Sequence, residues 1–517
     1  MELTRRSLLG AGLAGIGLSA LGIPALVTAK PTSSRKRPTN IIFCVSDGMP
    51  ISVPTIADVY QQRVLGKKGY WMSLIEDPEV VTGVQDTHSL SSVVTDSAAA
   101  AAAWGSGVYH WNGQINMLAD KRPLEPIGRL MKKAGMRVGL VTTTTITHAT
   151  PSGFSVSIFD REWQDQIAAQ HLDIGLDVLM GGGNLFFAAD KRTDKRDLYA
   201  EFAAKGYTVL RDRRSLMDTT GQKLLGIFTD SHLPFTVDRD NDAMLRMKTP
   251  TLAEMTRKAL AALDGSSEGF LLQVEGGRVD HGNHANDLPA AIFDQIAFEE
   301  ALKVVMDFAR EDGETLVVIT ADHACGGLAL NGAGYEYFDA TAGLETLAGM
   351  KSSYAPLLVS LGLQPTPAKV RDVVEDKLGL KLSSEEAQAF RDTLDGKSPF
   401  KLASLYSSTT SSVALLLGNH SKVNFTSGNH TNDHVLLSAF GPGCEHFHGL
   451  TKNVEVYSIL TGLRGIAHNN PSLDFESSKK LMQTTAVLDP SHGCCDEECP
   501  FEVYARGDLE ALAAMVG

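Results

Sequence analysis

Six short apolar runs recur along the chain, at 40–46, 137–145, 177–180, 269–275, 315–321 and 435–440. Asn40-Ile41-Ile42-Phe43-Cys44-Val45-Ser46 is typical: it has no polar face, and it stops at Asp47-Gly48. A strand apolar on both sides belongs in a sheet covered on both sides. Helical patterns at 53–64, 124–134 (ending at Gly135), 252–263 and 288–310 supply the cover. The alternation predicts an α/β fold with a large central, mainly parallel sheet and helices on both faces. Polar residues cluster just beyond the predicted strand ends, at Asp47, Thr145 to Thr150, Glu275 and Asp322-His323. Open parallel sheets bind ligands at that edge.

Residues 340–425 break this rhythm with a charged, helix-prone stretch (366–394) and a Ser/Thr-rich piece (407–412). They read as an insertion, a cap- or crown-like segment or an oligomerisation element. The tail from 470 to 517 is polar until a last helical pattern at 507–515, and it carries Cys494, Cys495 and Cys499. In an oxidising compartment a disulfide is the better reading of this cluster than a small metal site, with Cys444 a further candidate and the connectivity open. Cys44, inside an apolar strand, reads as a buried thiol.

Thr4-Arg5-Arg6-Ser7-Leu8-Leu9-Gly10, an apolar Gly/Ala/Leu stretch and Val27-Thr28-Ala29 form a twin-arginine signal peptide over residues 1–29. The expected location is periplasmic or secreted, with residues 30–517 as one α/β domain and no stable membrane span after the signal is removed. Losing Arg5, Arg6 and Glu2 takes the formal net charge from −14 to −15. So acidic a chain argues against a nucleic-acid partner. It leaves room for a phosphate ester in a locally cationic, metal-filled site.

Val93-Val94-Thr95-Asp96-Ser97 opens an alanine run that ends at Trp104. Alanine favours helix, and Thr95 or Asp96 is a good N-cap, so Ser97 is expected at a helix N-terminus, where backbone N–H groups favour phosphate. Glu275-Gly276-Gly277-Arg278-Val279-Asp280-His281-Gly282-Asn283-His284 carries Asp280 and His284 one helical turn apart, facing one ion, with Glu275 facing another. Asp322-His323 and Ser427-Gly428-Asn429-His430-Thr431 add an acid and two imidazoles. Zinc accepts this mixed Asp/His set, and Asp, Thr and Glu oxygens suit magnesium. His434, His446 and His448 are expected at the surface or behind the ligands.

With these residues in view the chain resembles the alkaline phosphatases of the zinc/magnesium type shared by bacteria and animals, from Asn40 to Pro442, with Thr95-Asp96-Ser97-Ala98-Ala99 its most specific motif. The resemblance implies two zinc ions and one magnesium ion per chain. Ser97 matches the nucleophile that becomes phosphoserine, and Arg161, eleven residues after Thr150, the phosphate clamp, with Asp96 orienting it. Asp280, His284 and His430 match one zinc site; Asp322 and His323, with Asp47 bridging, match the second. Asp47, Thr150 and Glu275 match the magnesium ligands. His148 and His281 stand where some bacterial members carry Asp and Lys, as in the animal enzymes, and are expected to support the third metal from behind. The implied function is hydrolysis of phosphate monoesters to alcohol and inorganic phosphate, by a homodimer. Two other readings compete: a phosphodiesterase of the same superfamily, and a non-catalytic exported phosphate- or metal-binding protein.

Overall fold

The computed structural model describes residues 37–397, 403, 405–406, 408–484 and 500–515. The twin-arginine segment and Cys494, Cys495 and Cys499 lie outside the described residues. The strands are β1 (Asn40–Ser46), β2 (Val81–Gln85), β3 (Arg137–Thr145), β4 (Val178–Gly182), β5 (Thr208–Leu210), β6 (Leu224–Ile227), β7 (Phe270–Gly276) and β8 (Thr315–Thr320). They continue as β9 (Ala324–Cys325), β10 (Ala329–Leu330), β11 (Val423–Asn424), β12 (His430–Thr431), β13 (Val435–Phe440) and β14 (Gly449–Thr451).

Ten of them form one sheet in the order β14-β2-β13-β8-β1-β7-β3-β4-β6-β5. Its pairings are parallel except that β13 runs antiparallel to both β2 and β8. The expected mainly parallel sheet is present, and β1 lies inside it. Alternate residues of β1 enter two cores. Ile42 and Cys44 pack with the helices Ser52–Tyr60, Leu252–Leu263 and Leu288–Asp312 on one face. Ile41, Phe43 and Val45 pack with Ser97–Ser106, Ile127–Lys133 and Glu455–Leu463 on the other. Cys44 is fully buried, as its strand requires.

Register brings the strand ends together. Val45 of β1 pairs with Glu275 of β7 and with Thr320 of β8, and Glu275 also pairs with Thr142 of β3. Residues that follow these four strands therefore share one edge although they are up to 275 positions apart. The helical pattern expected at 53–64 is an α-helix, Ser52–Tyr60, that continues as one π-helical turn, Gln61–Leu65. The segment at 340–425 departs after β10 and returns at β11, which pairs antiparallel with it. Its helices include Tyr354–Leu361, Pro367–Leu378, Ser384–Leu394 and Thr409–Ser421. Leu357, Val370 and Phe390 from these helices belong to the same buried cluster as Ile42, so the segment extends the core of one face.

The helix Ser97–Ser106 is buried over its whole length, which explains its alanines. It crosses the short helix Ala149–Gly153 at very close range: a Cβ on Gly105 would lie 1.9 Å from the Gly153 carbonyl oxygen. A Cβ on Gly153 would in turn lie 2.5 Å from the Ala101 Cβ. This contact sets the spacing between Ser97 and Thr150. Gly105→Ala is expected to destabilise by the amount typical of overpacking, about 1–3 kcal/mol. Gly462→Ala, in the helix Glu455–Leu463 with open space at its Cβ, is expected to stabilise by roughly 0.5–1 kcal/mol. Urea denaturation of the two variants should show opposite signs; equal shifts would remove the close crossing from the account.

Candidate metal centre and nucleophile

The edge of the sheet gathers four buried carboxylates: Asp47, Glu275, Asp280 and Asp322. Asp47 follows β1 directly, and the chain then turns through Gly48, whose φ of +62° is the left-handed region. The Gly48 N–H donates to Asp322 Oδ1 at 3.0 Å, and the His323 N–H donates to the same oxygen at 3.0 Å. Asp322 is thereby fixed with Oδ2 turned away from these donors. Thr150 Oγ1 donates to Asp47 Oδ2 at 3.2 Å. Glu275 ends β7 and is followed by the helix Arg278–His284, which puts Asp280 and His284 on one face with Oδ2 and Nε2 3.2 Å apart. β12 delivers His430 from the far end of the chain.

Three groups of ligand atoms result, each within 4.8 Å of one another: Asp280, His284, Cys325 and His430; Asp47, Asp322 and His323; Asp47, His148 and Glu275. Asp47 is common to two groups. Asp47 Oδ1, Glu275 Oε1 and Asp280 Oδ1 are buried and have no hydrogen-bond donor, and Asp322 Oδ2 lies 3.1 Å from His323 Nε2. Burial, then the carboxylates of Asp322, Asp280 and Glu275, push the Asp47 carboxyl well above the usual range. Burial likewise raises Glu275, against the opposing effect of His148. Against burial, His284 holds the Asp280 carboxyl well below its usual range and His323 holds Asp322 below its own, so Asp47 and Glu275 are the two that need a further positive charge to stay ionised.

The imidazoles say the same. His284 Nδ1 lies 2.7 Å from the Gly428 carbonyl and His430 Nδ1 lies 2.7 Å from the Thr95 carbonyl. A carbonyl only accepts, so both Nδ1 atoms carry hydrogen. The two Nε2 atoms then present lone pairs to each other at 2.9 Å. Either a proton or a cation must sit between them. Against the cost of burial, Asp280 and then Cys325 push the His284 imidazole well above its ordinary pKa. Fixing Nδ1 on a carbonyl is how metal-binding histidines are oriented. The donor set fits a multi-metal site.

Ser97 is the first residue of its helix and lies beside this centre, its Oγ 3.1 Å from His323 Nε2. Asp96 is the N-cap: Oδ1 accepts from the Ala99 N–H at 2.9 Å, and Oδ2 accepts from the Gly113 N–H at 2.9 Å and from Arg161 Nη1 at 3.2 Å. Arg161 Nη2 donates to His148 Nε2 at 3.2 Å. One carboxylate thus ties the helix that starts at Ser97 to the guanidinium. His148 lies nearer the centre than expected, with a ring nitrogen inside the third group of ligand atoms. His281 lies behind it, ring centroids 5.6 Å apart, and its Nδ1 accepts from Arg278 Nη1 at 2.7 Å. His434, His446 and His448 are exposed.

Three neighbours had no signal in the sequence. Cys325 joins the first group through β9. Arg278 is buried and stacks 3.8 Å over the Phe235 ring. His232 arrives on the loop after β6, its ring 4.5 Å from that of His281, and its Nδ1 accepts from the Thr145 N–H at 3.1 Å. No spacing rule links a loop histidine to a motif fifty residues away.

Residues 38–465 match the family model described as alkaline phosphatase. The chain belongs to the alkaline phosphatase family. It is 31% identical over 429 residues to alkaline phosphatase 4 of Bacillus subtilis (strain 168), covering 81% of this chain and 87% of that protein. Among solved structures it is similar to Thermus thermophilus alkaline phosphatase, with a TM-score of 0.82 and 34% identity over 87% of this chain and 96% of that one. The cold-active alkaline phosphatase from Shewanella sp. superposes with a TM-score of 0.69 at 29% identity, covering 82% and 99%. As a member of the family the protein is a metal-binding hydrolase of the phosphomonoesterase type, acting through a serine.

Gly48 tests the metal centre without removing a ligand. A Cβ there would lie 2.0 Å from Asp280 Oδ1, in a backbone conformation that costs an L-residue about 1–2 kcal/mol. Gly48→Ala is expected to retain less metal after dialysis and to unfold at a lower temperature. Wild-type metal content in a folded variant would contradict this geometry.

Proposed function

We propose that the enzyme hydrolyses phosphate monoesters through a phosphoserine on Ser97, with two zinc ions and one magnesium ion held at the sheet edge. The observation that carries this reading is the position of Ser97 Oγ, at a helix N-terminus and 3.1 Å from His323 Nε2, with Arg161 tied by Asp96 to the same helix. Asp280, His284 and His430 would hold one zinc; Asp322, His323 and Asp47 the second; Asp47, Thr150 and Glu275 the magnesium. When bound, the cations supply positive charge that activates the serine oxygen and stabilises the leaving alkoxide, as in other two-metal phosphoryl-transfer sites.

The chain's own residues do the rest. Ser97 Oγ attacks phosphorus, the alcohol departs from the opposite side, and water later releases inorganic phosphate and restores the hydroxyl. Arg161 offers its planar fork to two non-bridging oxygens. Its contact with Asp96 keeps the fork in register with Ser97. His281, accepting from Arg278, presents no cation of its own to the product, so phosphate is held less firmly than a lysine there would hold it. None of these groups reads the alcohol, so broad monoester specificity follows.

In the same proposal residues 1–29 direct twin-arginine export to the periplasm or the medium, and the enzyme is a homodimer. No helix of the described residues is long and apolar enough to cross a membrane.

A chromogenic monoester assayed beside a diester separates the readings: rapid monoester turnover with little diester cleavage is expected, and the reverse preference would make the enzyme a diesterase. Acid-quenched wild type should carry phosphate on Ser97, and Ser97→Ala should carry none while keeping its metal content. Chelation should abolish activity and lower the melting temperature together, since metal binding contributes to folding free energy. Full activity in metal-stripped protein would overturn the proposal.

A further inference from the structure

Cys325 has no part in the chemistry above, yet it lies among the ligand atoms. β9 pairs antiparallel with β12, and in that register Cys325 is the direct partner of His430. Directly opposed residues of an antiparallel pair project their side chains to the same face, with Cβ atoms about 4.5–5.5 Å apart. The Cys325 Sγ falls within 4.8 Å of the ligand atoms of Asp280, His284 and His430. Cys325 and Ala324 are fully buried, and Asp280 Oδ1 in the same group has no hydrogen-bond donor. The strand is pinned there. The Gly326 N–H donates to the Asn429 carbonyl at 2.9 Å, and the Thr426 N–H donates to the Gly326 carbonyl at 2.9 Å. Cys44 shows what an ordinary buried cysteine looks like in this fold: it sits inside the apolar core of β1 and belongs to none of the ligand groups.

We propose that Cys325 is a fourth protein donor, a thiolate, to the cation held by Asp280, His284 and His430. This rests on the reading of that group as a metal site. One carboxylate, two imidazoles and one sulfur form a set that zinc accepts, and sulfur disfavours magnesium and calcium. The sulfur therefore makes this one of the three groups selective for a softer cation, while the two groups built on Asp47 have no sulfur. Two negative donors balance a divalent cation, so the ion is held more firmly than by Asp280 and the imidazoles alone. Zinc also accepts a fifth donor, which leaves room for an oxygen of the ester.

Cobalt reports on sulfur coordination directly. The full chain, stripped of metal and reloaded with cobalt(II), is expected to show a near-ultraviolet thiolate-to-cobalt charge-transfer band. Cys325→Ser and Cys325→Ala should lose it while keeping the visible cobalt bands, and Cys44→Ser should keep both. Zinc should leave Cys325→Ser for a chelator at least about ten times faster than it leaves wild type. Cadmium NMR of wild type, which needs no variant, should give one resonance displaced to the range of a single sulfur donor. A charge-transfer band unchanged in Cys325→Ser, or no sulfur-shifted cadmium resonance, overturns the proposal. Cobalt bands that survive His284→Ala and His430→Ala unchanged would instead overturn the metal reading of this group, and the Cys325 proposal with it.

Discussion

His284 and His430 face each other with both Nε2 atoms 2.9 Å apart and both Nδ1 hydrogens committed to backbone carbonyls. Two lone pairs at that distance repel unless something positive lies between them. Four buried carboxylates converge on the same edge, several with an oxygen that no donor satisfies. A protein can hold such a cluster with protons, at the cost of removing the charges, or with cations, which keep them. Without a cation the neighbours of Asp47 push its carboxyl toward the neutral form. Cations bound at the edge would let these carboxylates keep their charge.

The parallel sheet is the device that assembles this edge. Register between β1, β7, β8 and β3 aligns the positions where Asp47, Glu275, Asp322 and Thr150 leave their strands. The close crossing of Ser97–Ser106 over Ala149–Gly153 then sets the serine at a fixed height above the cluster. Asp96 links the layers, since it caps that helix and holds Arg161. A shift in any one strand would move a ligand and not merely weaken a contact, which ties metal occupancy to fold stability.

Much of this could be read in the sequence for a physical reason. Central strands are buried on both faces and appear as unbroken apolar runs, so the parallel β1, β3, β7 and β8 and the antiparallel β13 are visible, and the ligands sit just beyond them. The alanine run marks a helix that must pack at close range. Strands toward the two margins of the sheet give no such signal. β2 reads Val-Thr-Gly-Val-Gln because it is half exposed and because a side chain at Gly83 would strike the Gly449 carbonyl oxygen at 2.5 Å. β5 and β6 are too short to stand out from their surroundings. His232, Arg278 and Cys325 are brought in by a loop, a helix start and a two-residue strand whose pairing depends on tertiary register, and periodicity cannot report that. The resemblance puts His148 behind the ligands, whereas one of its ring nitrogens lies within the third group of ligand atoms.

The central claim is that cations occupy the edge and resolve the contact between His284 and His430. Anomalous diffraction from crystals of the zinc- and magnesium-loaded protein, collected on both sides of the zinc absorption edge, tests it most directly. The account predicts one zinc peak bounded by Asp280, His284 and His430, with the two Nε2 atoms moved apart to ligate it, and a second peak bounded by Asp47, Asp322 and His323. No anomalous peak at the edge, with the two Nε2 atoms still 2.9 Å apart in metal-loaded crystals, would contradict it.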